Sequence, residues 1–267
     1  MKVKVIRVIP VTLASWRAAF AAFDAMKPLF ALALAAVIVL GLLRYRSLFW
    51  PAYENPPYLQ FAAWTAALDL CEVGVLSILA IAVHRFVLLS ETTSKDTLFG
   101  SPRRLLTFAA YAAIPILAWR QSQLWMLFHI PLIADLIEEY MIAVAQLAFL
   151  AALASLATMV ILFPAIAVDA EGANLRNAWR DSWRGSWRIL LVVFCTQLPI
   201  YIGIFGIIGF FGIVIASSMA AGLQVTSVIM ALFFFVATPV FAACGSFLYL
   251  CYSDTLGQSA IKPAIAL

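Results

Sequence analysis

ILLVVFCTQLPIYIGIFGIIGFF, residues 189–211, runs without one charged side chain. A helix needs about 20 apolar residues to cross the hydrocarbon core of a bilayer, with roughly 17–25 tolerated. This stretch therefore reads as a membrane span, and the same reading extends outward over the chain. Runs of that kind cover approximately Pro28–Leu43, Ala63–Val83, Leu105–Trp125, Tyr140–Phe163, Ile189–Phe211 and Val225–Leu250. The first is short, and Arg120-Gln121-Ser122-Gln123 interrupts the third. Together they predict an all-α, polytopic membrane protein: a bundle of six transmembrane helices in a single membrane domain over residues 1–267.

Composition agrees. Of 267 residues, 65% are hydrophobic and 11% charged, against about 45–50% and 25% in soluble domains. Such a chain cannot cover its surface with polar groups, and a lipid solvent removes the need, because apolar faces can then point outward. The basic N-terminus is followed by an apolar run only near Pro28, too late for an ordinary cleaved signal peptide, so the segment is expected to be retained. Cys71, Cys195, Cys244 and Cys251 lie in apolar runs without metal-ligand spacing, which predicts buried thiols and neither disulfides nor a metal site.

Charge placement sets the topology. With six spans and both termini in the cytoplasm, only Arg44, Arg46 and Arg120 of the 17 Lys and Arg fall outside, the asymmetry that the positive-inside rule requires. The net charge of +4 is thereby read as topology, not as nucleic-acid affinity. Thr12–Ala25 and Met126–Glu139 mix aromatic or aliphatic residues with charged ones and are expected to be amphipathic helices in the headgroup plane. Residues 90–104, SETTSKDTLFGSPRR, are the one soluble-looking loop.

Motifs for chemistry are scarce. There are two histidines, His84 and His129, no HExxH, no Gly-rich phosphate loop ahead of a Lys, and no Gly-x-Ser-x-Gly elbow; these are the usual marks of zinc, nucleotide and serine-hydrolase sites. No catalytic residue and no cofactor is assigned, and the chain is expected not to be an enzyme. Within a span, Asp69 and Glu72 stand three apart in LDLCEVGV, on one helix face, where ionised groups are costly and usually face protein or water. Three readings stand: structural pairing with Arg44, Arg46 or Arg120; a hydrated polar pocket; or a proton or ion path that continues to His84.

IGIFGIIGFFG, residues 202–212, spaces Gly203, Gly206, Gly209 and Gly212 by threes. Steps of three sweep round a helix instead of holding one stripe as GxxxG does, which predicts a helix closely packed by neighbours or one locally wound tighter. Pro115, Pro199 and Pro239 also lie inside spans and favour kinks there.

Ahead of the fifth span, AWRDSWRGSWRI at 178–189 repeats Trp179, Trp183 and Trp187 beside Arg180, Arg184 and Arg188. On one continuous helix, with Asn174 as N-cap, the tryptophans form a slowly winding stripe and the arginines another. Tryptophan settles at the headgroup level and arginine snorkels toward phosphates; each basic residue near an anionic surface contributes about 1 kcal/mol. The repeat is expected to bind anionic lipid on the cytoplasmic side, as a general anchor, a specific headgroup site, or an interface with another membrane-protein subunit. SWRAAFAAF at 15–23 is a related pattern.

VHRFVLL at 83–89, ILFPAIAVDAEG at 161–172 and LRNAWRDSWRGSWRILL at 175–191 resemble bacterial six-helix inner-membrane proteins, namely the membrane domain of glycerophosphoryl diester phosphodiesterases and the YciC-type proteins. The quoted motifs cover about 35 residues. The resemblance implies a bacterial inner membrane and a module linked to lipids or to envelope upkeep. The soluble phosphodiesterase barrel of some relatives has no room in this chain, so no catalytic residue carries over. The function expected is that of an accessory or scaffold subunit or a lipid-interacting envelope protein; the alternative is a small transporter using Asp69 and Glu72.

Overall fold

The structure is a computed structural model. It describes residues 7–49, 58–92, 101–114, 155–183, 185–215, 219–253 and 255–256. All regular structure among the described residues is α-helical: α1 (Val8–Ala25), α2 (Lys27–Phe49), α3 (Tyr58–Leu89), α4 (102–114), α5 (Ser155–Ala167), α6 (Leu175–Trp183), α7 (Ser186–Ile215) and α8 (Met219–Tyr252).

Four of these helices are long and apolar enough to cross a membrane, with candidate spans Lys27–Arg44, Ala63–Leu89, Ser186–Ile207 and Ala231–Tyr252. They take up the first, second, fifth and sixth expected spans, and the chain carries the signature of a multi-pass membrane protein. The second runs six residues past the expected end at Val83, to Leu89. Of the third expected span, residues 105–114 are helical, and of the fourth, residues 155–163; the rest of both lies outside the described residues. The fourth does not stop at Pro164 but continues helical to Ala167. Pro115 and the Met126–Glu139 segment also lie outside the described residues.

Burial separates centre from periphery. In α8 every residue from Ala242 to Tyr249 is buried, and in α3 every residue from Leu79 to His84, so both helices are enclosed round their whole circumference. Helix α8 is the hub, packed on α1, α2, α3 and α7. Gly245 lets α5 approach it: a Cβ there would lie 2.9 Å from the Val160 carbonyl oxygen. By contrast α2 buries one stripe, Phe30, Ala33, Val37 and Gly41, and turns Leu32, Val39 and Leu42 outward. An apolar helix buried on one side only suits a lipid surround. Pro199 and Pro239 sit inside α7 and α8, which continue past them as single helices.

Helix α1 contains the first expected amphipathic segment, Thr12–Ala25, and starts earlier, at Val8. Its buried face is the small-residue stripe Val11, Ser15, Ala18 and Ala22, packed on α7 and α8, while Phe20 and Phe23 are exposed. Alanine and serine allow close backbone approach, and polar contacts to α7 fix the seat: the Trp16 indole N–H donates to the Thr196 carbonyl oxygen at 3.1 Å, and the Thr196 hydroxyl to the Thr12 hydroxyl at 3.3 Å. Pro10 falls in the first turn of α1, and Pro28 in that of α2, where the missing N–H would have no helical partner in any case.

Candidate functional site

Helix α6 is built to start and stop sharply. The Asn174 side-chain oxygen accepts the Asn177 N–H at 2.9 Å, the expected N-cap, and Asn177 Nδ2 donates back to Gly172 O at 3.0 Å. At the other end the helix stops at Trp183, and α7 starts afresh at Ser186. The tryptophan–arginine repeat therefore does not lie on one continuous helix. Gly185 sits at the break, and a Cβ there would stand 2.4 Å from the Tyr252 ring, so the end of α8 packs closely over the junction. The Ser186 hydroxyl donates to Ser182 O and Trp183 O, both at 3.0 Å, and so satisfies carbonyls that the break leaves open.

At about 100° per residue, Arg176, Trp179, Arg180 and Trp183 share one side of α6, with Leu175 at its edge. Ala178 and Ser182 on the other side are buried. Asp181 ties that side to the chain beyond α8: it accepts the Thr255 N–H at 2.9 Å and the Thr255 hydroxyl at 2.8 Å. A Cβ at Gly172 would meet Thr255 O at 2.5 Å, so this glycine too is required by a close approach. The outward side carries the repeat. Trp179, Trp183 and Trp187 are 43%, 63% and 64% exposed; the Trp179 and Trp183 rings stack at 5.0 Å, and the Arg188 guanidinium lies 5.7 Å from the Trp187 ring centre. Arg176 and Arg180 are exposed. Arg184 lies outside the described residues.

Between α5 and α6 runs an open groove of about 480 Å³, lined by Ser155, Thr158, Met159, Leu175, Arg176 and Trp179. The Thr158 hydroxyl lies 3.2 Å from the buried Ser182 hydroxyl, which joins the two helices beneath the groove.

Asp69 and Glu72 take the pairing arrangement. Arg44 Nη2, from α2, donates to Asp69 Oδ1 and to Glu72 Oε2, each at 2.6 Å, and both carboxylates are buried. Arg46 and Arg120 side chains lie outside the described residues. His84 stands apart, about 22 Å along α3 at 1.5 Å per residue, and belongs to another contact: its Nδ1 is 2.9 Å from Ser246 Oγ on α8. Because that hydroxyl donates to Ala242 O at 3.0 Å, its lone pairs are left to accept the ring N–H.

The sequence reading missed a second charged cluster, at the α6 end of the bundle. Helix α5 closes with Ala170 N–H on Ala165 O and Asp169 N–H on Ile166 O, a Schellman ending that sets Asp169 in the left-handed region at φ 54°, which aspartate tolerates better than most residues. Its carboxylate accepts Arg104 Nη1 at 2.5 Å and faces Arg85 Nη1 at 3.7 Å. Arg85 also pairs with Glu91 at 2.7 Å and donates to Ala167 O at 3.0 Å. The signal was present in the Asp-Ala-Glu-Gly turn, but the pairing partners are 65 and 84 residues away along the chain and no local pattern links them.

Among the described residues no neighbour stands against the glycine series. A Cβ at Gly203, Gly206 or Gly209 would meet nothing within 4 Å, and all three are exposed, because this part of α7 is peripheral among the described residues. Gly212 lies outside the described side chains. Among the described residues there is no group of three or more His, Cys, Asp or Glu placed to hold a metal ion.

Comparison of the sequence with family models and with curated proteins, and of the fold with solved structures, finds no match.

Proposed function

We propose that this chain is a non-enzymatic, multi-pass protein of the bacterial inner membrane, both termini cytoplasmic, that works as a lipid-interacting accessory or scaffold component. The observation that carries the reading is the outward side of the α6–α7 junction: three exposed tryptophans beside exposed arginines, immediately ahead of the candidate span Ser186–Ile207. Aromatic rings at the headgroup level and arginines reaching phosphates are the physics of an interfacial anchor. Exposed basic groups gather at this end: Arg103, Arg176 and Arg180, with Arg188 partly exposed, while Arg44 lies near the other end of α3. That favours an anionic, cytoplasmic-facing leaflet. The resemblance to six-helix inner-membrane modules points the same way. Asp69 and Glu72 are accounted for by their pairs with Arg44, so the transporter reading is not preferred.

The test is purification in mild detergent followed by mass spectrometry of copurifying lipids and proteins, repeated with Arg180, Arg184 and Arg188 replaced by Gln. Anionic phospholipid retained by the wild-type chain and reduced in the variant is the expected result. Equal lipid in both, or a stoichiometric protein covering the tryptophans in place of lipid, overturns it.

A further inference from the structure

We propose that the groove between α5 and α6 holds one anionic glycerophospholipid, its phosphate on Arg176 and an acyl chain along Met159 and Leu175. The inference rests on the lipid-facing reading of the α6–α7 junction and narrows it to a site and a ligand.

Three observations converge. The volume, about 480 Å³, lies within the roughly 300–1,000 Å³ of ordinary ligand sites. Its lining is almost wholly apolar, with a single cation, Arg176, among the lining residues. Met159 and Leu175 supply apolar wall, Trp179 an aromatic edge, and Arg176 the one charged side chain, with no acidic residue among the lining residues. The Thr158 hydroxyl, one of the lining groups, is already engaged with the Ser182 hydroxyl. A small soluble anion would find one cation and an apolar wall; a phospholipid finds a partner for each of its parts.

Charge complementarity supplies the third. The cations embedded in the bundle are matched to acids: Arg44 to Asp69 and Glu72, Arg85 to Glu91, Arg104 to Asp169. Arg176 is exposed and has no acidic partner among the described residues. Its guanidinium offers the planar donor fork that suits a phosphate. Neighbouring Arg180, one turn further along α6, adds positive potential without lining the groove.

The test uses the delipidated full chain in detergent, titrated with dioleoylphosphatidylglycerol and followed by native mass spectrometry. One lipid is expected to bind ahead of the rest. Arg176→Gln weakens that first event about ten-fold, the loss of one charge-assisted contact. Met159→Trp, which fills the groove, weakens it likewise, with Leu175→Trp as the second filling variant should the first fail to fold. Arg103→Gln, exposed at the same end but outside the groove, leaves it within about two-fold. Equal weakening by Arg176→Gln and Arg103→Gln overturns the site while leaving general anchoring intact. Equal binding of dioleoylphosphatidylcholine, or displacement by inorganic phosphate, overturns the ligand assignment. If even Arg176, Arg180 and Arg188 replaced together by Gln bind lipid as the wild type does, the anchoring reading falls with the site.

Discussion

Replacing Arg44 by Met should destabilise the bundle more than any single exposed substitution. Its guanidinium is 17% exposed and holds side chains that are 2% and 5% exposed, at 2.6 Å each. Removing one member of a buried ion pair costs about 3–5 kcal/mol, because the remaining charge stays buried without its partner. On that scale the loss is a hundred-fold or more in the folded-to-unfolded ratio, at about 1.4 kcal/mol per factor of ten. The measurement is equilibrium unfolding in mixed detergent–SDS micelles, followed by circular dichroism. The triple variant Arg44→Met, Asp69→Asn, Glu72→Gln should recover most of the loss, since uncharged groups no longer need the guanidinium; pairs that act as a unit are non-additive in this way. A single variant within about 1 kcal/mol of wild type, or a triple variant no better than the single, would refute the structural role of the cluster.

Other substitutions probe the packing. Gly185→Ala places a Cβ 2.4 Å from the Tyr252 ring and should cost about 1–3 kcal/mol by overpacking, relieved by Tyr252→Ala in the same unfolding assay. Gly203, Gly206 and Gly209 replaced together by Ala meet open space, so the same assay should show equal or greater stability, by up to about 0.5–1 kcal/mol per site from helix propensity; strong destabilisation would mean that this face is covered. Ser246→Ala removes the acceptor of the His84 ring N–H, a loss of about 1–3 kcal/mol for a buried unsatisfied donor, whereas His84→Phe together with Ser246→Ala should cost less than the two changes summed.

Period and composition made the spans legible, because an apolar run of bilayer length has few alternative readings. Residues 189–211 and 225–250 needed nothing beyond themselves. The Asn174 cap and the Arg44 pairing were also within reach: one is a local motif, and the other follows from buried carboxylates seeking the arginines at their own depth. Three things were not. The close approach at Gly185 comes from the Tyr252 ring, 67 residues onward. The glycines of α7 suggested contact, yet their neighbours are set by how α7 sits against α8, which the helix's own spacing does not encode. In α1 the eye goes to Phe20 and Phe23, which are exposed, but the small side chains opposite, with Trp16, made the interface, and smallness is a weak signal in a chain so rich in alanine.

The central claim is that the tryptophans of the α6–α7 junction sit in lipid headgroups, and their depth is measurable. Reconstitute the chain in vesicles containing phosphatidylglycerol brominated at shallow or deep acyl positions. Then compare the fluorescence quenching of the wild type with that of a variant in which Trp179, Trp183 and Trp187 are replaced by Phe. The difference signal is predicted to be quenched more strongly by the shallow bromines than by the deep ones, as for rings at the interface. A difference signal insensitive to either would place these rings in water or against another protein, and would contradict the account.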